Sequence, residues 1–543
     1  MKSLFISGLL ALVGTLVSAN DAFNNVTPVK TYKPIGDHNP LNVMKYSADP
    51  GVMVYDDTVY VYGTNDGIVE LLGEKPSENE YSLIHTINVM SSKDLVNWVD
   101  HGTIPSAGKD GAASWAENSW APAAAHKKIN GKEKFFLYFA NSGNGIGVLS
   151  SDSPTGPFED PIGGPLVSFD SPNCKDIVWL FDPAVFVDDD GTGYLYFGGG
   201  IPEGGDEAPK TFRAVKLGDD MISLATEPVI IDAPWGFEDS GMHKAGDTYY
   251  YTYCTNWNEA SPFHQARIGL MTSDSPLGPF KFEDTIFNNP GEFFEKYGNN
   301  HHTVVPFHDK WYIFYHTEWL NLQSFGEALG YRTTHVNELP FVDGKFLNAT
   351  GTLKGVPQLF NVDAFTEQPA ALVAWAAGTS TNGLGHTTVS YNKGEWTGVS
   401  NVDFADGADT IIISASSKNG AVIKITVDDI DGEVLGYVTV PANGDELENI
   451  TSDIIPVKGV KNLFFLASDD VTIDTWKFIK SDEANTQSAE QSAEEPSTDL
   501  EDDNEESNEE PINNTENPAN NAEEPKKKVV IKKVKKCIVK NKN

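Results

Sequence analysis

Between residues 49 and 315 the chain repeats one plan five times, and this repeat constrains its fold more than any other feature. Each copy has a polar or charged start, a small or apolar run, a turn, and then an aromatic-rich run. Asp49-Pro50-Gly51-Val52-Met53-Val54-Tyr55 turns at Asp56-Asp57 into Val59-Tyr60-Val61-Tyr62. Ala121-Pro122 leads through Asn130-Gly131 to Phe135-Phe136-Leu137-Tyr138-Phe139, and Asp182-Pro183-Ala184-Val185 through Asp190-Gly191 to Tyr194-Leu195-Tyr196-Phe197. Glu238-Asp239-Ser240-Gly241 leads through Gly246-Asp247 to Tyr249-Tyr250-Tyr251-Thr252-Tyr253, and His301-His302-Thr303-Val304 through His308-Asp309 to Trp311-Tyr312-Ile313-Phe314-Tyr315. Two β-rich runs around a short polar turn read as a hairpin. The starts lie about 55–75 residues apart, room for four strands each. A second repeat marks the unit ends: Ser91–Trp98, Ser151–Phe158 and Ser273–Phe280 occupy matching places. Five such units predict an all-β, five-bladed β-propeller, in which radial repetition protects the sheet edges. A long sandwich is the alternative.

The repeat stops after Phe360. Beyond it, short β runs such as Val402-Asp403-Phe404, Thr410-Ile411-Ile412-Ile413 and Leu463-Phe464-Phe465-Leu466 alternate with Gly, Asn and Asp turns, which predicts a β-sandwich (jelly-roll) over residues 370–480. The propeller is assigned to residues 20–365. Residues 481–543 run from almost pure Glu, Asp, Asn, Ser, Ala and Pro into a Lys-rich end. Such a composition cannot bury enough apolar surface to offset ordering, so a disordered tail is expected. At the other end, Met1-Lys2-Ser3, an apolar run over residues 4–17 and Ser18-Ala19 have the form of a secretory signal peptide over residues 1–19. A membrane anchor is the other reading, but the run is shorter than the ~20 residues a span needs. A secreted, extracellular protein is the expectation.

Charge and cysteines narrow the partners. A formal charge of −39 argues strongly against nucleic acid, because binding phosphates needs clustered Lys and Arg. An acidic, aromatic-rich chain suits a neutral ligand such as a polysaccharide. Cys174, Cys254 and Cys537 are too few for a disulfide scaffold. Cys174 and Cys254 could pair, and Cys537 sits in the Lys-rich end. Asn25, Asn348, Asn449 and Asn513 head glycosylation sequons.

In a propeller the innermost strands line an axial channel, so residues at one end of those strands converge. Here those places hold Asp49, Asp182, Glu238 and His301. Asp-Pro also forms turns, which would explain Asp49 or Asp182 alone. Charged groups are rarely buried without a reason, however, and the set together points to chemistry. Hydrolysis of a glycoside uses one carboxyl as acid on the leaving oxygen and another as base or nucleophile. The residues alone do not assign the roles.

The segments around these residues resemble glycoside hydrolase family 43: Tyr46-Ser47-Ala48-Asp49-Pro50, Trp115-Ala116-Glu117-Asn118-Ser119-Trp120-Ala121-Pro122, Trp179-Leu180-Phe181-Asp182-Pro183-Ala184-Val185, Phe237-Glu238-Asp239-Ser240-Gly241 and Gly298-Asn299-Asn300-His301-His302. Within it, residues 188–200 and 330–337 resemble the arabinoxylan arabinofuranohydrolases. The resemblance implies an inverting enzyme that removes α-L-arabinofuranosyl side chains from arabinoxylan or a related hemicellulose. It implies Asp49 as general base, Asp182 as the carboxylate that tunes the acid, and Glu238 as general acid. Base and acid would then lie roughly 6.5–9.5 Å apart, leaving room for water. It implies calcium near His301, although calcium prefers oxygen ligands and a channel histidine without metal is the other reading. No organic cofactor is expected. Arg332 would reach the site, and Trp120, Trp179, Phe237 and Asn300 would shape the sugar pocket, with core packing as the alternative for each aromatic. Residues 394–396, 402–404, 406–408 and 474–478 resemble a family 6 carbohydrate-binding module, in which Trp396 and Trp476 either stack on sugar or fill the core. A β-xylosidase or exo-galactanase of the same family, a retaining fructan hydrolase and a non-catalytic polysaccharide binder are the competing functions. The partner expected is plant cell-wall polysaccharide, met by a monomer, with no nucleic acid and no membrane.

Overall fold

The computed structural model describes residues 19–68, 75–263 and 265–481. The signal-peptide reading (all but Ala19), the tail beyond Ser481, Cys537 and the Asn513 sequon lie outside the described residues. Among the described residues no helix is long and apolar enough to cross a membrane.

Each aromatic repeat forms the hairpin its turn residues call for. Blade 1 is β1 (Lys45–Tyr55), β2 (Thr58–Ile68), β3 (Thr86–Ser92) and β4 (Trp98–Pro105), paired antiparallel in that order. Blade 2 is β5 (Trp120–Ile129), β6 (Lys132–Ala140) and β7 (Ile146–Ser151). Blade 3 is β8 (Ala184–Val187), β9 (Gly193–Gly198), β10 (Phe212–Lys216) and β11 (Val229–Ile231). Blade 4 is β12 (Gly236–Ala245), β13 (Thr248–Thr255), β14 (Ile268–Ser273) and β15 (Lys281–Phe287), and blade 5 is β16 (His302–Phe307), β17 (Lys310–Thr317) and β18 (Thr333–Glu338).

The expectation of four strands per unit therefore fails in blades 2 and 5. In blade 2 the outer place is reduced to two isolated bridges, Ile146 with Val167 and Ser150 with Glu159. In blade 5 the edge of β18 is covered by the residues before blade 1. Leu41 donates its amide to Thr334 O at 2.9 Å, and Asn39 exchanges side-chain hydrogen bonds with the Val336 backbone at 2.9 Å each. This closes the ring and pairs an edge that would otherwise be open. The unit-end repeat fastens blades to one another. Tyr62 on β2 donates its hydroxyl to Pro154 O in blade 2 at 2.6 Å, and Tyr196 on β9 does the same to Pro276 O in blade 4 at 2.8 Å. Apolar clusters fill the spaces between blades, as with Tyr250, Ile268, Ile313 and Tyr315 between blades 4 and 5.

The second domain is the expected β-sandwich. One sheet contains strands Ser380–Leu384, His386–Tyr391, Val471–Lys480, Ala408–Ser416 and Glu448–Val457; the facing one contains Val362–Asp363, Trp396–Asp403, Val460–Ala467, Ala421–Val427 and Glu433–Val440. Trp396 and Trp476 are each 2 % exposed, which places both in core packing rather than on a sugar-stacking surface. The sandwich is joined to the propeller by more than a linker. Leu372 and Val373 pair with Val99 and Trp98 of β4, and Leu384 pairs with Gly102, so blade 1 runs into a sandwich sheet. Both domains belong to one compact unit. Cys174 and Cys254 are buried and unpaired, in separate hydrophobic clusters, so the disulfide does not form.

Candidate active site

The site is built by a backbone irregularity that recurs in four blades. Asp49, Ala121, Asp182 and Asp239 all have φ between 43° and 65°, in the left-handed region. Asp tolerates that region better than most residues. In β1, β5 and β12 the ladder register slips across this point, between Ala48 and Gly51, Trp120 and Ala123, and Glu238 and Gly241. The slip is a β-bulge, and a bulge re-aims a side chain out of the alternating pattern. The inner strands crowd at the same place: a Cβ on Gly51 would lie 2.0 Å from Pro122 O of the next blade.

The register corrects the alignment of the repeats. Asp239, not Glu238, holds the place of Asp49 and Asp182. Glu238 stands one residue earlier, where blade 1 has Ala48 and blade 2 has Trp120.

Asp49, Asp182, Glu238, His301, Arg332 and Trp120 line one cavity of ≈140 Å³, together with Tyr81, Phe181 and Asn299. Arg332 donates from Nη1 to Asp49 Oδ1 at 2.9 Å, and Thr64 donates its hydroxyl to Asp49 Oδ2 at 2.7 Å. The Asp49 amide donates to His316 Nδ1 at 3.0 Å, which leaves the other ring nitrogen to donate to the Asn299 carbonyl at 3.1 Å. Asp182 Oδ2 accepts the Asp239 amide at 3.0 Å. Among the described residues, Glu238 Oε1 is buried without a hydrogen-bond partner. The Asp239 carboxylate turns away from the cavity and is held by the amide and Nδ1 of His302, whose Nε2 meets Thr252 at 2.8 Å. Its other oxygen lies 3.2 Å from His301 Nε2.

These surroundings drive the carboxyls apart. Burial raises Glu238 well above its ordinary value, and Asp182, Asp239 and Asp49 add to the rise. Burial and the Asp49 charge raise Asp182 in the same way. Burial is the largest influence on Asp49 too and works to raise it, but the Arg332 guanidinium together with His316 and His301 outweighs it and holds the carboxyl below the usual carboxylate range. Burial lowers His301.

Three of the residues expected to shape the pocket, Trp179, Phe237 and Asn300, do not line this cavity. Trp179 is 41 % exposed and packs edge-on against Phe181 and Phe237, 5.5 Å from each, outside the cavity wall. Asn300 is fully buried behind the site with Nδ2 on Ala266 O at 3.0 Å; Asn299 lines the cavity in its place. Sequence reasoning also passed over Thr64, Asp66, Tyr81, Asp239, His302 and His316. Asp239 and His302 had a signal, since they adjoin Glu238 and His301 within the repeats; the others carry no local pattern.

The donor set does not suit direct calcium ligation. Among the described residues no three His, Cys, Asp or Glu side chains are arranged to hold a metal, and Nε2 of His301 faces Asp239. A larger hollow of ≈560 Å³ at residues such as Val52, Val185, Val304 and His243 gathers no comparable set of carboxyls.

Three buried carboxyls gathered in one cavity of a five-bladed propeller supply the acid and base groups that glycoside hydrolysis requires. The chain belongs to the glycosyl hydrolases family 43, whose family model matches residues 38–346; the carbohydrate binding module (family 6) model matches residues 372–480. It is 41 % identical to an arabinoxylan arabinofuranohydrolase of Paenibacillus polymyxa over 83 % of this chain and 76 % of the relative. It is likewise 41 % identical to the arabinoxylan arabinofuranohydrolase of Bacillus subtilis (strain 168), over 87 % of this chain and 98 % of the relative. A crystal structure of a family 43 arabinoxylan arabinofuranohydrolase from Bacillus subtilis, in complex with cellotetraose, superposes with a TM-score of 0.79 over 82 % of this chain and 98 % of that one. The protein is a glycoside hydrolase.

Proposed function

We propose that this hydrolase removes α-L-arabinofuranosyl side chains from arabinoxylan with inversion at the anomeric carbon. The observation that carries the mechanism is the contrast between two carboxyls in one cavity: Arg332 and Thr64 hold Asp49, which favours its charge, while Glu238 Oε1 is buried with no hydrogen-bond partner among the described residues, which favours its proton. Environments that push two carboxyls apart assign an acid and a base. Glu238 keeps its proton and gives it to the leaving oxygen. Asp49 stays ionised and takes a proton from the attacking water. Asp182 shares the buried site with Glu238, and whenever it ionises its charge favours the protonated form of Glu238. The sugar is arabinofuranosyl, and the polymer arabinoxylan, by likeness to the relatives of that name. The enzyme acts outside the cell, as a monomer, after loss of residues 1–19. Trp120 and Phe181 wall the sugar cavity, and Trp179 and Phe237 extend an aromatic surface beside it. Any calcium would be held near His301 through its water shell; elemental analysis of the wild type and His301→Ala decides its presence.

The test combines two variants with two substrates. Asp49→Asn and Glu238→Gln keep shape and remove proton transfer, so each loses ~10²–10⁴-fold on arabinoxylan. On an aryl arabinofuranoside, whose leaving group needs little protonation, Glu238→Gln recovers and Asp49→Asn does not. Proton NMR before mutarotation shows the inverted sugar. Retention would recast Asp49 as a nucleophile, and release of xylose or galactose without arabinose would overturn the substrate assignment.

A further inference from the structure

Both oxygens of the Asp49 carboxylate are held, and both holds originate on one strand. Thr64 and Asp66 stand two residues apart on β2, so they share a face. The buried Thr64 hydroxyl donates to Asp49 Oδ2 at 2.7 Å and accepts the Ala121 amide, from the neighbouring blade, at 2.8 Å. A hydroxyl has one proton to give. Since the amide supplies its own proton, that of Thr64 is committed to Asp49. Asp66 is buried and reaches the same carboxylate indirectly. It accepts from Arg332 Nε at 2.8 Å, Nη2 at 2.9 Å and the backbone amide at 3.0 Å. That grip fixes the guanidinium plane and leaves Nη1 to meet Asp49 Oδ1. Neither Thr64 nor Asp66 lines the cavity.

We propose that Thr64 and Asp66 are positioning residues for the hydrolysis, locking the carboxylate plane of Asp49 so that its remaining lone pairs face the attacking water. A carboxylate otherwise turns through a broad range about its terminal torsion. Misplacement of a reacting group by 1 Å can cost ~10²-fold. The inference rests on Asp49 being the base, and it extends that reading to two residues that never touch sugar.

The experiment compares Thr64→Val, which keeps shape and loses the hydroxyl, with Thr64→Ser, which keeps the hydroxyl, and adds Asp66→Asn. Asp49→Asn serves as reference. Turnover and KM are measured on arabinoxylan and on an aryl arabinofuranoside, with melting temperature recorded for each variant. Loss of a hydrogen bond to a charged group predicts about a ten- to hundred-fold fall in kcat for Thr64→Val, with KM little changed. Thr64→Ser regains most of it. The activated substrate rescues neither Thr64→Val nor Asp66→Asn, because the defect lies in activating water. Loss confined to KM, or Thr64→Ser no better than Thr64→Val, would overturn the proposal. An inactive Asp49→Asn beside a fully active Thr64→Val would overturn the positioning role alone, whereas an active Asp49→Asn would overturn the base assignment beneath it. Should Asp66→Asn fail to fold, the Val and Ser pair still decides.

Discussion

A chain ended after Phe360 keeps every propeller strand, yet it should not yield a stable propeller. Its outer strand β4 would lose the partners that cover it. Asp100 N donates to Ala371 O at 3.2 Å, and His101 O accepts from Gly385 N at 2.8 Å. Asn97 exchanges hydrogen bonds with the Ser400 backbone at 2.8 and 3.1 Å. Lys33 Nζ donates to Ala374 O at 2.7 Å, Asp37 O accepts from Trp375 Nε1 at 2.9 Å, and Val29 O accepts from Trp396 Nε1 at 2.8 Å. At about 1 kcal/mol each, these bonds alone approach the ~5–15 kcal/mol that stabilises a whole domain. The truncation also strips Trp375 and Phe464 from the cluster that buries Val96. A milder version is Trp375→Ala. Trp375 is 1 % exposed and stacks on Phe464 at 5.9 Å, so its removal should cost about 3–5 kcal/mol. The assays are soluble yield, thermal unfolding and turnover of an aryl arabinofuranoside. The truncated chain should be insoluble or melt far below the parent, and lose action on small and polymeric substrates alike. A soluble truncation with the parental melting temperature and full turnover would refute the reasoning and return the sandwich to a purely accessory role.

Gly51→Ala should destabilise the protein and lower turnover together, because its Cβ would collide with Pro122 O two residues from Asp49; unfolding scans and kcat check this. Lys33 is fully buried, and burial pushes its amine down to about 7 against the smaller opposing pull of Asp37. The unfolded chain binds a proton there that the folded chain gives up between about pH 7 and 10.5. Wild-type stability should therefore rise with pH across that window relative to Lys33→Met, as denaturant titrations at several pH values would show. Activity against pH should be bell-shaped and broad. Asp49 must be ionised and is displaced downward, while Glu238 must be protonated and is displaced upward, so the limbs separate. A narrow bell would show that the two displacements do not govern kcat/KM.

The sequence disclosed whatever is periodic. Alternating aromatic runs and their turns announced the hairpins, and the polar residues opening each run announced the channel. What it concealed depends on geometry that leaves no period. Two acids stand side by side at the start of the fourth repeat, and only the strand register shows that Asp239, not Glu238, is the equivalent of Asp49. Asn299 and Asn300 are likewise adjacent and alike in type, and it is Asn299 that lines the cavity. Arg332 came only through family likeness, and nothing near Asp66 marks its partner 266 positions away. The covering of β4 by the sandwich was equally silent, since an outer strand reads alike whether its edge meets water or another sheet.

The bulge itself separates scaffold from chemistry. It recurs in blade 2, where Ala121 takes φ +43° with no acid to aim. A non-glycine residue held in that region costs free energy; in blade 2 the bulge aims no carboxyl, and the Ala121 amide there meets the Thr64 hydroxyl at 2.8 Å. The propeller thus supplies the same aimed position several times over. Asp at two of them faces the cavity, and Asp at a third turns back to hold two histidines. The chemistry follows from which side chain occupies each copy and from the partners that reach it across blades.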